Sequence, residues 1–156
     1  MLRYAKIEDL PRLVALEREG FPPEETFSEG RLRYLLTRAQ GRIVVAEENG
    51  EILGFVVLLW RYRSTIGRIY DIVVSPAARG RGIGTALLRE AERIARQRGL
   101  TALALEVRAT NREARCLYEH NGFVPVVDLP NYYGEGVHAI RYRKTLDTTA
   151  ATAKAG

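Results

Sequence analysis

The sequence has few of the residues that bind metals or form disulfides. Cys116 is its only cysteine, and it has two histidines among 156 residues. A single cysteine excludes an internal disulfide, and one cysteine with two histidines gives too few ligands for a Cys/His zinc site. We therefore expect no metal site. We also expect Cys116 to be a bystander thiol, because no accompanying base marks it as a nucleophile.

Long apolar runs are absent as well. No stretch approaches the roughly 20 apolar residues that span a bilayer, and the first residues, MLRYAKIEDLPRL, lack the apolar stretch of a secretion signal. We expect no membrane partner and a cytoplasmic protein. With 46% hydrophobic and 28% charged residues, the composition is that of a globular chain. This length and composition predict one domain with one core.

Lysine is scarce, although the chain is basic. Only Lys6, Lys144 and Lys154 are lysines among 24 basic residues, and the formal net charge is +5. This balance favours anionic partners, such as a phosphorylated cofactor, nucleic acid or an acidic protein surface. Arginines spread along a chain more often form solvated faces, and a nucleic-acid-binding domain needs a clustered basic face with stacking aromatics. We therefore do not expect nucleic acid as a partner.

Turn signals and hydrophobic patterns divide the chain into strands and helices. Asn49 and Gly50 separate the apolar runs Ile43 to Ala46 and Ile52 to Trp60, which predicts a tight β-hairpin. The run Ile69 to Val74 is too apolar for an exposed edge and predicts a central strand. The predicted order is strand, two helices, three strands, helix, strand, helix and two strands. This order indicates an α/β (α+β) domain with a mixed sheet.

The two ends of the chain have different patterns. Apolar residues at helical spacing from about Glu8 to Glu19, and again after Ser28, predict an N-terminal helical lobe. We expect the folded domain to cover residues 1–146. Residues 147–156 are rich in Thr and Ala and have no periodic apolar face, so we expect a disordered tail there.

A glycine-rich loop lies between the central strand and an amphipathic helix. Glycines at 80, 82 and 84 alternate with Arg79, Arg81 and Ile83. Such glycines let backbone amides turn into a concave nest, and the following helix adds its N-terminal dipole and free N–H groups. The loop matches neither the dinucleotide motif G-x-G-x-x-G nor a P-loop. It therefore predicts a site for phosphate groups of another kind of ligand.

This loop resembles the Q/R-x-x-G-x-G/A signature of the GNAT acetyltransferase superfamily. The resemblance implies a mixed central sheet of about six to seven strands flanked by about four helices, and acetyl-CoA as the cofactor. In that family the loop holds the coenzyme A pyrophosphate and the preceding strand contacts the pantetheine arm. The cofactor-binding residues it implies here are Ile72, Val73, Val74, Arg79, Gly80, Arg81, Gly82, Ile83, Gly84, Thr85, Asn111 and Tyr118.

Further motifs resemble the RimI-type protein N-terminal acetyltransferases within that superfamily. These are the strand sequence Leu-Glu-Val-Arg at 105–108, the spacing from Asn111 to Tyr118, and the pair Tyr132-Tyr133. The resemblance implies that Tyr118 is the general acid at the thiol and that the tyrosine pair forms a wall beside the acceptor. Read from the residues alone, Tyr118 is also a typical core aromatic, and the tyrosine pair also fits a hairpin. Asn111 can cap its helix as well as reach the cofactor.

Attack of an amine on a thioester requires a neutral amine, and the departing thiolate requires a proton. Glu106 lies between Leu105 and Val107 on an apolar strand, where a carboxylate is costly unless it faces water or a partner. This position suits a general base that acts directly or through water. The alternative is a structural pair with an arginine such as Arg108. The resemblance favours catalysis. Because no base triad accompanies Cys116, we prefer direct transfer to the amine over an acyl-cysteine route.

The acceptor amine is less defined by the sequence. An α-amine has a pKa near 7.7 to 8.0 and a lysine near 10.4, so neutralising lysine at pH 7 costs roughly 3 to 4 kcal/mol more. A lone carboxylate base therefore favours a protein or peptide N-terminus. Lysine or small-molecule acetylation on the same fold, and a non-catalytic acyl-CoA-binding module, are the alternatives. The loop Phe21 to Phe27 lacks the tryptophan of the RimI pattern, and its Glu24 and Glu25 either attract a basic acceptor or are solvated.

Overall fold

The computed structural model describes residues 1–146, and the predicted tail at 147–156 lies outside the described residues. The strands are β1 (Leu2–Tyr4), β2 (Gly41–Glu48), β3 (Glu51–Trp60), β4 (Ile66–Val74), β5 (Ala102–Arg108), β6 (Val124–Gly134) and β7 (Val137–Thr145). The α-helices are α1 (Leu10–Gly20), α2 (Glu29–Thr37), α3 (Ile83–Gln97) and α4 (Arg112–His120). The predicted order of elements is confirmed.

All seven strands belong to one sheet, in the order β1-β2-β3-β4-β5-β7-β6. Its neighbouring strands are antiparallel except for β4 and β5, which run parallel. The predicted mixed sheet of six to seven strands with about four helices is therefore confirmed. None of the helices in residues 1–146 is both long and apolar enough to cross a membrane.

Most predicted elements lie where the pattern placed them. The hairpin between β2 and β3 turns at Asn49 and Gly50, which have φ of 52° and 79°. Strand β4 lies fourth of seven in the sheet, as its apolar run predicted. The apolar run Phe123 to Val127 predicts a strand that ends at Val127, but β6 continues to Gly134 because its far end also pairs with β7. Pro130 and Gly134 disfavour a regular strand, and a register shift between Leu129 and Gly134 accommodates them.

Helices cover both faces of the sheet, and each face has its own core. Buried residues of α3 and α4 pack on one face with Leu58, Leu103 and Tyr142. Buried residues of α1 and α2 pack on the other face with Phe55 and Val57.

Strand β4 contains a bulge that changes which face its residues reach. The register with β3 shifts so that Tyr70 is the extra residue between Ile69 and Asp71. Residues four apart on a regular strand face the same side. Here Ile69 packs in the core beneath α3, whereas Val73 packs in the core beneath α1 and α2. The bulge thus turns Asp71 and Val73 towards α1.

Strands β4 and β5 separate shortly after they meet. Their pairing joins only the range 66–68 of β4 to the range 102–104 of β5. From there to Val74 and Arg108, where the two strands end, the backbones are not paired with each other. This divergence opens the sheet at its centre.

Candidate active site

A cavity of about 900 Å³ occupies the opening between β4 and β5. Its walls come from the diverging strands, the loop at 21–28 between α1 and α2, the loop at 79–82, the first turn of α3, helix α4 and β6. We call the segment 21–28 the acceptor loop. The predicted site residues that line the cavity are Ile72, Val73, Val74, Arg79, Gly80, Gly82, Ile83, Gly84, Thr85, Glu106, Asn111, Tyr118 and Tyr133.

The glycine loop has the backbone form that an anion nest requires. Gly80 and Gly82 have φ of 79° and 80°, in the left-handed region that residues with a Cβ atom disfavour. Gly82 is the N-cap residue of α3, so the first N–H groups of the helix have no intrahelical acceptor. These groups belong to residues 83–85, which line the cavity. A phosphate group is a suitable partner for them.

The two arginines of the loop are placed differently. Arg79 lines the cavity and makes an exposed ion pair with Glu113 at 3.4 Å. Arg81 lies outside the cavity, beside a smaller depression of about 200 Å³, and donates to the Glu48 carboxylate at 2.6 and 2.8 Å. That hydrogen bond raises the pKa of Arg81. Of the predicted phosphate contacts, Arg81 is the one that this arrangement does not bring to the cavity.

Helices α3 and α4 approach each other closely beside the cavity. A Cβ atom on Gly84 would stand 3.1 Å from Leu117 Cδ2, so glycine permits this approach. The Asn121 amide donates to Thr85 Oγ1 at 3.2 Å and joins the end of α4 to the start of α3. The Asn111 side chain accepts from the Ala114 N–H at 3.1 Å and therefore caps α4. It also lines the cavity, so both roles considered from the sequence are open to it.

Tyr118 lines this cavity from α4. The ring is 6% exposed and packs against Phe123 and Tyr142, with centroids 6.0 and 6.2 Å away. Among residues 1–146 its hydroxyl has no hydrogen-bond partner, yet it is not sealed from the cavity. Burial raises its pKa, and the nearby charge of Asp71 adds to this effect. The hydroxyl therefore stays protonated and free to donate.

Glu106 lines the same cavity and has both carboxylate oxygens engaged. One oxygen accepts from Arg68 at 2.6 Å, and the other accepts from Arg141 at 2.8 Å. Arg108, the partner considered from the sequence, pairs instead with Glu25 on the acceptor loop. Strand register explains why Glu106 pairs with Arg141 instead of Arg108, because Glu106 is directly opposite Arg141 on β7. An arginine on a neighbouring strand cannot be found from local spacing.

The two tyrosines of β6 have different positions. Tyr133 lines the cavity, and Tyr132 does not. The Tyr132 ring packs edge-on against the Tyr133 ring, with centroids 5.0 Å apart. Burial raises the pKa of Tyr133 to about 12, and the charges of Tyr132, Glu106 and Glu25 add to the shift. Tyr133 is therefore a neutral hydroxyl beside the acceptor loop.

A buried pair of carboxylates, Glu17 on α1 and Asp71 on β4, was missed from the sequence. Their side chains touch, they are 1% and 8% exposed, and both line the cavity. One oxygen of each has no hydrogen-bond partner in the described chain. Burial and the proximity of Glu17 raise the pKa of Asp71 well above its usual value, and burial also raises the pKa of Glu17. The available signal was an acid in the middle of an apolar strand.

Comparisons with known proteins agree with this geometry. The model of the acetyltransferase (GNAT) family matches residues 10–123. The chain belongs to the GNAT acetyltransferase family. It is 36% identical to the uncharacterized N-acetyltransferase YhfO of Bacillus subtilis over 131 residues, which are 78% of this chain and 88% of YhfO. It is 29% identical to an N-alpha-acetyltransferase of Sulfurisphaera tokodaii over 152 residues, 88% of each chain.

The fold also matches a solved GNAT enzyme. The ribosomal-protein-S18-alanine N-acetyltransferase of Escherichia coli superimposes with a TM-score of 0.84 and 25% identity, over 94% of both chains. The resemblance to RimI-type enzymes is thus confirmed at the level of relatives and fold. As a GNAT acetyltransferase with such relatives, the chain is an enzyme that acylates nitrogen.

The described residues fit the coenzyme A that GNAT enzymes use. The loop offers left-handed glycines with no atom within 4 Å of a Cβ placed on Gly80 or Gly82, so the backbone is open to a bulky anion. The diverging strands leave unpaired backbone groups beside the cavity. The free hydroxyl of Tyr118 lies further along the same cavity. Phosphate, amide and thioester groups would each find a matching protein group here.

Proposed function

We propose that this GNAT enzyme transfers an acetyl group from acetyl-CoA directly to a protein or peptide N-terminal α-amine. One observation carries the proposal. A free tyrosine hydroxyl, a carboxylate and a glycine nest line a single cavity in the gap between β4 and β5. Acetyl-CoA supplies the acetyl group as a thioester when bound.

The cofactor half of the cavity binds and orients. The N–H groups of the loop at 79–82 and of the first turn of α3 hold the pyrophosphate, assisted by the Arg79 guanidinium. The backbone of Ile72 to Val74, which has no partner on β5, receives the amides of the pantetheine arm. Asn111 keeps α4 in place by capping its first turn. This arrangement brings the thioester to the Tyr118 hydroxyl.

Glu106 and Tyr118 move the protons in this proposal. Both Glu106 oxygens already accept from arginines, so Glu106 takes the proton of the ammonium group through a water molecule. As the amine nitrogen bonds to the acetyl carbon and the carbon–sulfur bond breaks, the Tyr118 hydroxyl would donate its proton to the departing sulfur. The second proton that the nitrogen loses would then restore the hydroxyl. Cys116 takes no part, because it is exposed on α4 and is not among the residues that line the cavity. Transfer is therefore direct, with no acyl-cysteine.

The acceptor half of the cavity suits a cationic amine. Glu24, Glu25 and Glu106 line it together with Phe27 and Tyr133. Glu25 and Glu106 already pair with arginines, so within the described residues Glu24 is the carboxylate of this set that can attract the ammonium form. An α-amine loses its proton at a pH far closer to neutrality than lysine does. The activities named for the Sulfurisphaera tokodaii and Escherichia coli proteins support the same class of acceptor.

Acetyl-CoA-dependent thiol release tests the proposal. The panel contains peptides with a free N-terminal alanine, peptides with a blocked N-terminus and one internal lysine, and small primary amines. Release only with the free N-terminus supports the proposal. Release only with lysine or with a small amine assigns the enzyme to that acceptor class instead. Tight acetyl-CoA binding with no release from any amine would indicate a binding module.

A further inference from the structure

The buried carboxylates Glu17 and Asp71 contact each other beneath the acceptor loop. Glu17 comes from the last turns of α1 and Asp71 from the bulged part of β4. Two ionised carboxylates have no donor to share, whereas one added proton turns their contact into a hydrogen bond. Like charges this close in an apolar setting cannot both remain ionised without a large penalty. The geometry therefore favours a single shared proton.

Glu17 also holds the acceptor loop. Its Oε1 atom accepts from the backbone N–H of Phe27 at 3.2 Å. The Phe27 ring stacks on Tyr70 with centroids 5.1 Å apart and planes 1° from parallel. The Tyr70 hydroxyl in turn accepts from Arg31 at the start of α2, at 2.7 Å. The inner end of the loop is thus anchored to β4 through Glu17 and Phe27.

The middle of the loop has a second, separate anchor. Glu25 pairs with Arg108 at the end of β5. The Thr26 hydroxyl donates to the Pro22 carbonyl at 2.8 Å and keeps the turn compact. Glu25 and Arg108 are each partly exposed, so salt and water weaken their pair. The buried anchor at Glu17 is the one shielded from solvent.

Within the described residues, no basic side chain forms a salt bridge that would neutralise the charge of Glu17 or Asp71. Burial is the main cause of the raised pKa of both groups, and the other contributions are their interaction with each other and hydrogen bonds from the backbone of Phe27 and Ile72. The titratable and charged groups that line the cavity around them come from β4, β5, α4, β6 and the two loops. These groups are Tyr70, Glu106, Arg108, Glu113, Tyr118, Tyr133, Glu24, Glu25 and Arg79.

We propose that Glu17 and Asp71 are positioning residues, whose shared proton keeps the acceptor loop closed against β4 so that the acceptor binds tightly. The proposal rests on the function proposed above and extends it to acceptor binding. Loss of the shared proton leaves two anions in contact, and their repulsion pushes α1 away from β4. The Phe27 anchor then loosens and the acceptor wall opens. The glycine loop and the first turn of α3, which bind the phosphates of acetyl-CoA in the proposed function, belong to other elements than this contact.

Amide variants separate the proton from the contact itself. In Asp71→Asn the new amide donates to Glu17, and in Glu17→Gln the new amide donates to Asp71 while its oxygen still accepts from Phe27. Both variants keep the hydrogen bond without a titrating proton. Glu17→Ala removes the anchor. Val14→Ala trims a buried residue of the same helix and serves as the control for general destabilisation.

The kinetic test compares the acceptor KM between pH 6 and 9.5, with a peptide that carries a free N-terminal alanine. Dividing the acceptor KM of wild type by that of Asp71→Asn at each pH cancels the titration of the peptide amine, because both enzymes act on the same peptide. We expect this ratio to rise at least threefold with pH, Glu17→Gln to follow Asp71→Asn, and Glu17→Ala to have a raised KM at every pH. The KM for acetyl-CoA should be the same in all variants, and Val14→Ala should follow wild type. A ratio that stays constant with pH overturns the proposal.

A second measurement needs no turnover, so it tests the role of Glu17 and Asp71 even if the proposed function is wrong. Hydrogen exchange of the segment 21–28 is followed at pH 6 and pH 9, with rates corrected for intrinsic chemistry. We expect wild type to lose protection at pH 9, Asp71→Asn to keep it, and Glu17→Ala to lack it at both pH values. Equal protection of wild type and Asp71→Asn at pH 9 contradicts the proposal, whichever amine the enzyme acetylates.

Discussion

The Tyr118 ring packs edge-on against Phe123, with centroids 6.0 Å apart and planes at 61°. Phe123 follows the end of α4 and is 2% exposed, so it fixes the ring from the side away from the cavity. The hydroxyl is the part of Tyr118 left to meet a ligand. A core role for the ring and a catalytic role for the hydroxyl are therefore compatible.

Tyr118→Phe keeps this packing and removes only the hydroxyl. Because the hydroxyl has no hydrogen-bond partner to lose within residues 1–146, we expect little change in stability. Turnover should fall by about 10²-fold or more, as for other general acids. Acetyl-CoA affinity, measured by calorimetry, should change less than about twofold because the glycine loop that binds the phosphates is intact. Unchanged turnover would remove Tyr118 from the proposed mechanism.

Glu106→Gln tests the proposed base. Glutamine keeps one acceptor for the arginines but cannot take a proton, so kcat at pH 7.5 should fall by about 10²- to 10⁴-fold. The loss should shrink at higher pH, where more of the amine is already neutral. Glu90→Gln is the control, because Glu90 also pairs with an arginine but lies outside the residues that line the cavity. A pH-independent loss of equal size in both variants would speak against a base.

Gly82→Ala tests the glycine nest against backbone strain alone. Gly82 and Gly99 have φ of 80° and 79°, and neither has an atom within 4 Å of an added Cβ. Each substitution should therefore lower the free energy of unfolding by about 1 kcal/mol. Only Gly82→Ala should also weaken acetyl-CoA binding, since Gly99 ends α3 far from the loop. Equal affinity in the two variants would exclude a role for Gly82 in phosphate binding.

Tyr133→Ala and Tyr132→Ala compare a tyrosine that lines the cavity with its neighbour. An aromatic contact contributes about 0.5 to 1.5 kcal/mol, so Tyr133→Ala should raise the acceptor KM by about 2- to 12-fold. Tyr132→Ala should raise it less, because Tyr132 acts only by supporting Tyr133. The measurement is steady-state kinetics at saturating acetyl-CoA. A larger effect at Tyr132 would mean that the acceptor approaches from the outer side of β6.

Asp71→Asn should change how stability depends on pH. The pKa of Asp71 is raised on folding, so above about pH 4 the folded protein keeps a proton that the unfolded chain releases. Wild-type stability therefore falls as pH rises through this window, by about 1.4 kcal/mol for each unit between the two pKa values. Asp71→Asn should lack this loss. Urea unfolding at pH 5 and pH 8 measures the difference.

Asp9→Asn is the matched control of opposite sign. Arg3 lowers the pKa of Asp9, so this carboxylate contributes stability above about pH 4 that is lost at lower pH. Its removal should destabilise the protein by the same amount at pH 5 and pH 8, whereas the stability of Asp71→Asn relative to wild type should rise between these two pH values. If the relative stability of Asp71→Asn is equally constant between pH 5 and pH 8, the shared-proton description of Asp71 is wrong.

The fold and the cofactor loop could be predicted because their signals are local. Asn49-Gly50 fixes a hairpin through backbone angles, and the apolar run Ile69 to Val74 identifies a central strand. The glycines of the loop predict a nest for the same reason, since their conformation depends on a few consecutive residues. Element order follows from such local signals without knowledge of strand register.

Side-chain partners across the sheet could not be predicted. Glu106 meets Arg141 because β7 is inserted beside β5, and no spacing in the sequence encodes that register. Asp71 meets Glu17 because a bulge at Tyr70 turns it towards α1. An unbulged strand would place Asp71 on the α3 side of the sheet. Arg81 likewise pairs with Glu48, which is distant in sequence, and does not lie at the predicted phosphate site.

The divergence of β4 and β5 leaves two strand edges inside the sheet. An unpaired strand edge accepts any extended chain that offers alternating N–H and C=O groups. The pantetheine arm carries two amides and is itself extended, so in the proposed function it takes the place of a missing strand. Binding then completes a secondary structure as well as a substrate complex. In this proposal the free energy of unfolding of the protein rises with the concentration of acetyl-CoA.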